Sequence, residues 1–158
     1  MIEATPEPEP TKPPIPDDLL RASSEQLCAE LQQIKTIPTF EPTPTDSIYE
    51  ALIAKSNAAI PCLVSRISDK TPMKDPRYSV PNWQHFAVGD TAVFILLDIV
   101  ARGDDMLWEN LMKEMLSAKY SKEWKTNGIY AYFNYVSEPK NRIELQRWWK
   151  KWLEDNKT

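Results

Sequence analysis

The strongest constraint on how this chain folds is its most apolar run, VGDTAVFILLDIV at residues 88–100. The run is far too short to span a bilayer and contains Asp98, so it does not predict a transmembrane segment. Its apolar side chains need burial, and we expect a buried helix. The pair at its start indicates where the helix begins: Asp90 caps it, and Gly89 lets the preceding loop turn in.

Helical spacing of apolar residues recurs through much of the remaining chain. At the first of these segments, Ser23 and Gln26 form a capping box. Residues 121–136 are ambiguous between helix and strand, because IYAYFNYV alternates in polarity and Gly128 weakens a helix. The other predicted helices cover 23–34, 45–57, 58–68, 104–117 and 138–154. We predict an all-α fold, a compact bundle of about six helices.

Prolines and charges divide the 158-residue chain into a leader and one domain. Nine of the 14 prolines fall in the first 44 residues, and residues 1–16 are rich in Pro and Glu. Such a segment cannot bury enough apolar surface to order itself, so we predict a disordered acidic Pro-rich leader over 1–16. A single α-helical domain is expected over 17–158. Residues 1–50 carry a net charge of −7 and the rest +3, which argues against nucleic-acid binding.

The first ten residues, MIEATPEPEP, have neither the basic nor the apolar region of a signal peptide. A spacer rich in Pro, Glu and Thr is nevertheless common after a cleaved signal or a lipid anchor. The localisation is therefore open. We expect it to be periplasmic if such a segment preceded the printed sequence, and cytoplasmic otherwise.

Cys28 and Cys62 are the only cysteines. Each lies in an apolar helical context, which favours two free, buried cysteines. A disulfide between them is the alternative, and it would require an oxidising compartment. Together with His85, the only histidine, they cannot complete a tetrahedral zinc site without carboxylates, so we expect no metal. The sequence has no Gly-rich phosphate loop, and we expect no cofactor.

Two of the predicted helices resemble a known repeat family. AAIPCLVSRISD at residues 58–69 resembles the first helix of a HEAT-type repeat, in which an apolar-Pro-x-Leu-apolar pattern is typical. Residues 88–100 resemble the partner helix. The resemblance covers roughly residues 46–103 and implies antiparallel helix pairs that form a protein-binding scaffold without catalysis. The connection between the two helices is longer than a HEAT turn, and no second repeat is evident.

The chain as a whole also resembles small bacterial immunity proteins. The shared features are its size, its helical pattern, a proline-rich leader and an irregular loop between the two HEAT-like helices. Immunity proteins neutralise toxins, including contact-dependent secreted effectors. The resemblance therefore implies a cognate toxin or effector enzyme as partner, inhibited by occlusion of its active site.

The 18 residues 69–86 contain three prolines and have no sustained period. Loops this long inside compact domains are usually functional or disordered. Arg, Tyr and Trp dominate interface hot spots, and prolines lower the cost of ordering the segment on binding. An alternative is that Tyr78, Trp83 and Phe86 only seal the end of the helix pair. The predicted partner-binding residues are Asp69, Lys74, Asp75, Arg77, Tyr78, Trp83 and His85.

Enzymatic alternatives rest on scattered acids and on the single histidine. A small hydrolase would use Asp90, Asp98 or His85. No motif of a cysteine-hydrolase family surrounds Cys28 or Cys62, and a glycosidase-like site needs a second carboxylate at a defined separation. For Asp98 we favour a structural salt bridge with Arg66 or Arg102, because a buried carboxylate needs a partner. We therefore predict a non-enzymatic protein-binding domain of the immunity type. A small hydrolase and a structural adaptor module are the alternatives.

Overall fold

The computed structural model of the chain describes residues 14–34, 46–73 and 87–156. Residues 1–13 of the predicted leader lie outside this part. The described residues form nine α-helices and two short 3₁₀ helices, Leu31–Gln33 and Ser56–Ala59. The α-helices are α1 Asp17–Arg21, α2 Ser24–Ala29, α3 Ser47–Lys55, α4 Ile60–Arg66, α5 Val88–Ala101, α6 Asp105–Met115, α7 Ala118–Asn127, α8 Tyr130–Val136 and α9 Pro139–Asp155. The all-α prediction is confirmed, with more helices than expected because several are short.

Helix α5 is the centre of the bundle. Twelve of its 14 residues are buried, as its apolar sequence predicts, and it contacts α3, α4 and α6. Helix α4 is its main neighbour, and α4 also packs against α9. Since the chain covers this helix on nearly every side, the two acids on α5 have to find partners inside the protein or at its edge.

The ambiguous segment 121–136 is helical. Gly128 ends α7 with a φ of +56°, a conformation that favours glycine, and α8 starts two residues later. The alternating stretch IYAYFNYV, residues 129–136, forms α8 together with its N-cap Ile129, and Gly128 marks the turn before it. The predicted capping box at Ser23 and Gln26 is present at the start of α2.

The two cysteines form a disulfide, so the prediction of free cysteines is wrong. Cys28 on α2 and Cys62 on α4 are 34 residues apart, and their Cα atoms are 6.3 Å apart. Both are buried, as an apolar helical context indicates. The contact of α2 with α4 places them together, and no local pattern in the sequence reports that contact. The bond ties the N-terminal helices to the α4–α5 pair.

Candidate binding site

The chain leaves α4 and returns to α5 as two adjacent segments, which we call the stem (residues 67–73 and 87–89). The amide of Val88 donates to the Thr71 carbonyl at 2.8 Å, and the amide of Gly89 donates to the Asp69 carbonyl at 2.9 Å. A single antiparallel bridge follows at Pro72 and Ala87. Residues 73 and 87 are therefore held close together at one end of the α4–α5 pair.

Two side-chain contacts fix the stem to the bundle. The Gln32 amide donates to the Pro72 carbonyl at 2.9 Å, and Met73, which is 8% exposed, packs into the core with its sulfur 3.2 Å from the Thr91 hydroxyl. The stem thus has hydrogen-bonded and apolar anchors. Residues 73 and 87 therefore have fixed positions on the bundle.

Gly89 allows the stem to approach α5 closely. A Cβ at this position would overlap the Ile67 carbonyl oxygen and lie 2.9 Å from Nη1 of Arg142. The sequence predicted a glycine that permits a turn. The structure requires a glycine here because two backbone segments and a guanidinium meet at that point.

Of the predicted partner-binding residues, Asp69 alone lies in the described part of the chain. Its Oδ1 accepts the Thr71 amide at 2.9 Å, and its Oδ2 lies 3.9 Å from Nη1 of Arg66. Asp69 therefore shapes the turn that begins the stem. The remaining predicted partner-binding residues, Lys74, Asp75, Arg77, Tyr78, Trp83 and His85, lie outside the described residues.

Asp90 is the centre of a closed polar cluster under the stem. It is 1% exposed, and its carboxylate faces Arg142 with Nη1–Oδ1 and Nη2–Oδ2 distances of 3.0 and 3.4 Å. Tyr132 donates its hydroxyl to Oδ1 at 2.6 Å, and the Ala87 amide donates to Oδ2 at 2.9 Å. Asp90 is therefore three residues inside α5 and accepts from the capping residue Ala87, so the prediction that Asp90 itself is the cap is wrong.

Charge and burial act together in this cluster. Burial alone lowers the pKa of Arg142, but the Asp90 carboxylate and the Tyr132 hydroxyl raise it more, so its pKa lies above the usual value. Burial raises the pKa of Tyr132, and the Asp90 charge raises it further. Tyr132 is thus a neutral donor to an ion pair. With all its oxygens occupied, Asp90 has no open face for a ligand.

Sequence reasoning missed Arg142, which is 52 residues from Asp90. A signal was present, because Arg142, Leu145 and Trp149 follow the i, i+3, i+7 spacing of one helical face. Leu145 and Trp149 are both fully buried, so the arginine lies on the buried face of α9. An arginine on such a face is rarely unpaired, and it predicts a buried acid.

Asp98 has different partners from those predicted. Its Oδ2 accepts the Tyr49 hydroxyl at 2.9 Å and its Oδ1 accepts the Trp108 indole N–H at 3.0 Å. The prediction of a salt bridge to Arg66 or Arg102 is wrong, because Arg66 pairs with Asp69 and Arg102 is exposed after the end of α5. In the described part of the chain, no cation lies within ion-pair distance of Asp98.

A cavity of about 320 Å³ opens beside Asp98 between α3, the end of α5 and the start of α6. Tyr49, Ile53 and Trp108 line it with apolar surface, and the exposed residues Arg102, Asp104 and Asp105 also border it. Burial raises the pKa of Asp98 above its usual 3.8, although the hydrogen bonds from Tyr49 and Trp108 act in the opposite direction. We call this feature the Asp98 cavity.

Two further observations on the described residues concern metal binding and membrane-spanning helices. None of their His, Cys, Asp and Glu side chains form a group of three or more that could hold a metal ion. No helix in the same part of the chain is long and apolar enough to cross a membrane. The chain matches no protein-family model, no curated protein and no solved structure.

Proposed function

We propose that this chain is a non-enzymatic protein-binding domain of the immunity type, which binds a cognate toxin or effector enzyme and occludes its active site. The observation that carries the proposal is the stem. Backbone hydrogen bonds, the Gln32 amide and the burial of Met73 hold the two ends of the stem, Met73 and Ala87, at one fixed position on the bundle, and residues 74–86 join them in the chain. Arg77, Tyr78 and Trp83 all lie between those two ends.

This arrangement lowers the cost of binding. A binding segment that starts and ends on a rigid scaffold loses less conformational freedom in a complex than one on a free tail. Aromatic and arginine side chains contribute most of the binding energy in typical interfaces. We therefore propose Lys74, Asp75, Arg77, Tyr78, Trp83 and His85 as partner contacts, with Asp69 positioning the segment.

The disulfide supports a location for this function. Disulfides persist in oxidising compartments such as the bacterial periplasm and are rare in the cytosol. The Cys28–Cys62 bond is consistent with a protein that works where secreted effectors arrive. The proposal accordingly places the partner in the periplasm.

Co-expression with the toxic product of a gene encoded beside this one tests the proposal. We expect the chain to restore growth and to co-elute with that product in size-exclusion chromatography. Exchange of Arg77, Tyr78 and Trp83 for alanine is expected to weaken the complex at least about 30-fold, the effect of losing a single hot-spot residue.

A matched control exchanges the same kinds of residue elsewhere. Tyr130 is 51% exposed on α8 and the side chain of Arg147 is 70% exposed on α9, so Tyr130→Ala with Arg147→Ala removes an exposed tyrosine and an exposed arginine from outside residues 74–86. We expect this variant to bind like the wild type. A neighbouring product that neither co-elutes nor is neutralised would overturn the proposed function, and equal loss in both variants would overturn the assigned contacts.

A further inference from the structure

The two acids on α5 are satisfied in opposite ways. Asp90 is fully buried and the chain supplies Arg142 as its counter-charge. Asp98, eight residues later, receives two neutral donors and borders an open cavity. A partly desolvated carboxylate is stabilised most by a cation, and at Asp98 the described residues leave room for one without providing it.

The hydrogen-bond geometry of Asp98 suits a guanidinium. An ionised carboxylate has about four acceptor positions, two on each oxygen. Tyr49 occupies one position on Oδ2 and Trp108 occupies one on Oδ1. One position on each oxygen therefore remains, which is the pattern that a guanidinium fills with two parallel N–H bonds.

The walls of the cavity favour the same group. Tyr49 and Trp108 provide aromatic surface next to the carboxylate, and guanidinium planes stack on aromatic faces. Ile53 provides apolar surface for the methylene groups of an arginine side chain. The volume of about 320 Å³ is at the small end of ligand sites and fits one side chain better than a larger molecule.

We propose that the Asp98 cavity is a receptor for one arginine side chain of the partner protein, held by Asp98 and stacked against Tyr49 and Trp108. The inference rests on the proposed function, since it names a chemical feature of that partner. Charge agrees with it: three carboxylates, of Asp98, Asp104 and Asp105, border the cavity against one guanidinium, that of Arg102.

Arg102 is the internal competitor for this site. It follows α5 with a φ of +50°, is exposed, and forms no ion pair with the acids that the structure describes around the cavity. Because Arg102 adds positive charge to the edge of the cavity, its replacement by alanine strengthens the binding of an external guanidinium.

Titration of the full chain with N-ethylguanidinium, followed by NMR of the indole N–H groups, tests the inference without knowledge of the partner. The Trp108 signal is assigned from the spectrum of Trp108→Phe. We expect a saturable shift of that signal with a dissociation constant on the order of 10 mM, weak because the probe is one small group. N-ethylurea, a neutral ligand of the same shape, is expected to leave the signal unchanged.

Three variants make the experiment specific. Asp98→Asn keeps both hydrogen bonds, since Oδ1 still accepts from Trp108 and the amide donates to the Tyr49 oxygen, yet it removes the charge. We expect it to weaken binding of the guanidinium at least tenfold. Arg102→Ala is expected to bind more tightly than the wild type. Asp155→Asn removes an exposed acid at the end of α9 and is expected to bind like the wild type.

A Trp108 signal that does not saturate, or that shifts equally in the wild type and in Asp98→Asn, overturns the inference. So does an equal response to N-ethylurea. These results do not bear on whether the chain restores growth when it is co-expressed with the neighbouring toxic product. Failure of the arginine-receptor inference and failure of the proposed function are therefore separate findings. Where a partner complex forms, loss of at least tenfold in affinity on Asp98→Asn supports the arginine contact, and unchanged affinity contradicts it.

Discussion

The surroundings of Asp98 determine both its hydrogen-bond partners and the direction in which its pKa shifts. Its position inside an apolar helix predicted a buried acid with an arginine partner. The structure instead gives it the hydroxyl of Tyr49 and the indole N–H of Trp108. Burial raises the pKa of the Tyr49 phenol, and the charge of Asp98 raises it further, so Tyr49 remains a neutral donor. Burial raises the pKa of the Asp98 carboxyl more than the two hydrogen bonds lower it, so the titration of Asp98 makes the stability of the fold depend on pH.

The sign of this pH effect follows from the direction of the pKa shift. Folding raises the pKa of Asp98, so between its usual pKa of 3.8 and its folded value the native state binds more protons than the unfolded chain. The contribution of Asp98 to stability is therefore most favourable below about pH 3.8 and is lost as the pH rises through the folded pKa.

We predict that the difference in unfolding free energy between the wild type and Asp98→Asn falls as the pH rises from 3.8 through the folded pKa. The slope is at most about 1.4 kcal/mol per pH unit, the effect of one proton. Urea denaturation at a series of pH values measures it, with Asp155→Asn as the control for an exposed acid. A difference that is constant, or that grows with pH, contradicts the raised pKa.

At the scale of helices, one buried side chain on α9 links that helix to α5 and to the end of α4. Arg142 reaches from α9 to Asp90 on α5, and its Nη1 lies 3.4 Å from the Ile67 carbonyl oxygen at the end of α4. Gly89 makes room for that guanidinium, because a side chain there would collide with it. Helices α5, α8 and α9 and the end of α4 at the stem thus meet around a single buried ion pair.

We predict that Arg142→Met destabilises the fold by about 3–5 kcal/mol, because it leaves Asp90 as an uncompensated buried charge. Urea denaturation followed by circular dichroism gives the free energy of unfolding. The control is Arg147→Met, which removes the exposed pair with Glu144 and is expected to cost about 0–1 kcal/mol.

A second variant separates the loss of charge balance from the loss of packing. Adding Asp90→Asn to Arg142→Met removes the unpaired charge while keeping an oxygen that accepts a hydrogen bond. We expect the double variant to be more stable than Arg142→Met alone. If the double variant is less stable, the lost packing of the methylene groups of Arg142, rather than the lost charge balance, explains the effect of Arg142→Met.

At the scale of the whole molecule, the disulfide determines how firmly the N-terminal helices are attached. Helices α1 and α2 are short, and residues 35–45 separate them from α3 along the chain. Their packing against α3 and α4 is supplemented by the bond between Cys28 and Cys62. Cross-linking residues 34 positions apart removes conformational freedom from the unfolded chain.

We predict that replacing both cysteines by alanine lowers the free energy of unfolding by about 3–4 kcal/mol, the value for a loop of this length. A reductant is expected to destabilise the wild type by a similar amount and to leave the double variant unchanged. Identical urea denaturation curves for the wild type with and without reductant would show that the bond does not form or does not contribute.

The sequence by itself determined the all-α fold and the burial of α5, because apolar spacing and helix-start residues act over a few positions. It also indicated that Gly89 permits a turn and that Gly128 weakens a helix. The position of Arg142 on an apolar helical face could have indicated that this arginine is buried. Only the tertiary structure decided which helices meet: Cys28 with Cys62, Asp90 with Arg142, and Asp98 with Tyr49 and Trp108. These contacts join residues on different helices, 10 to 52 positions apart in the chain, and side-chain packing between the helices selects them, so no local pattern reports them.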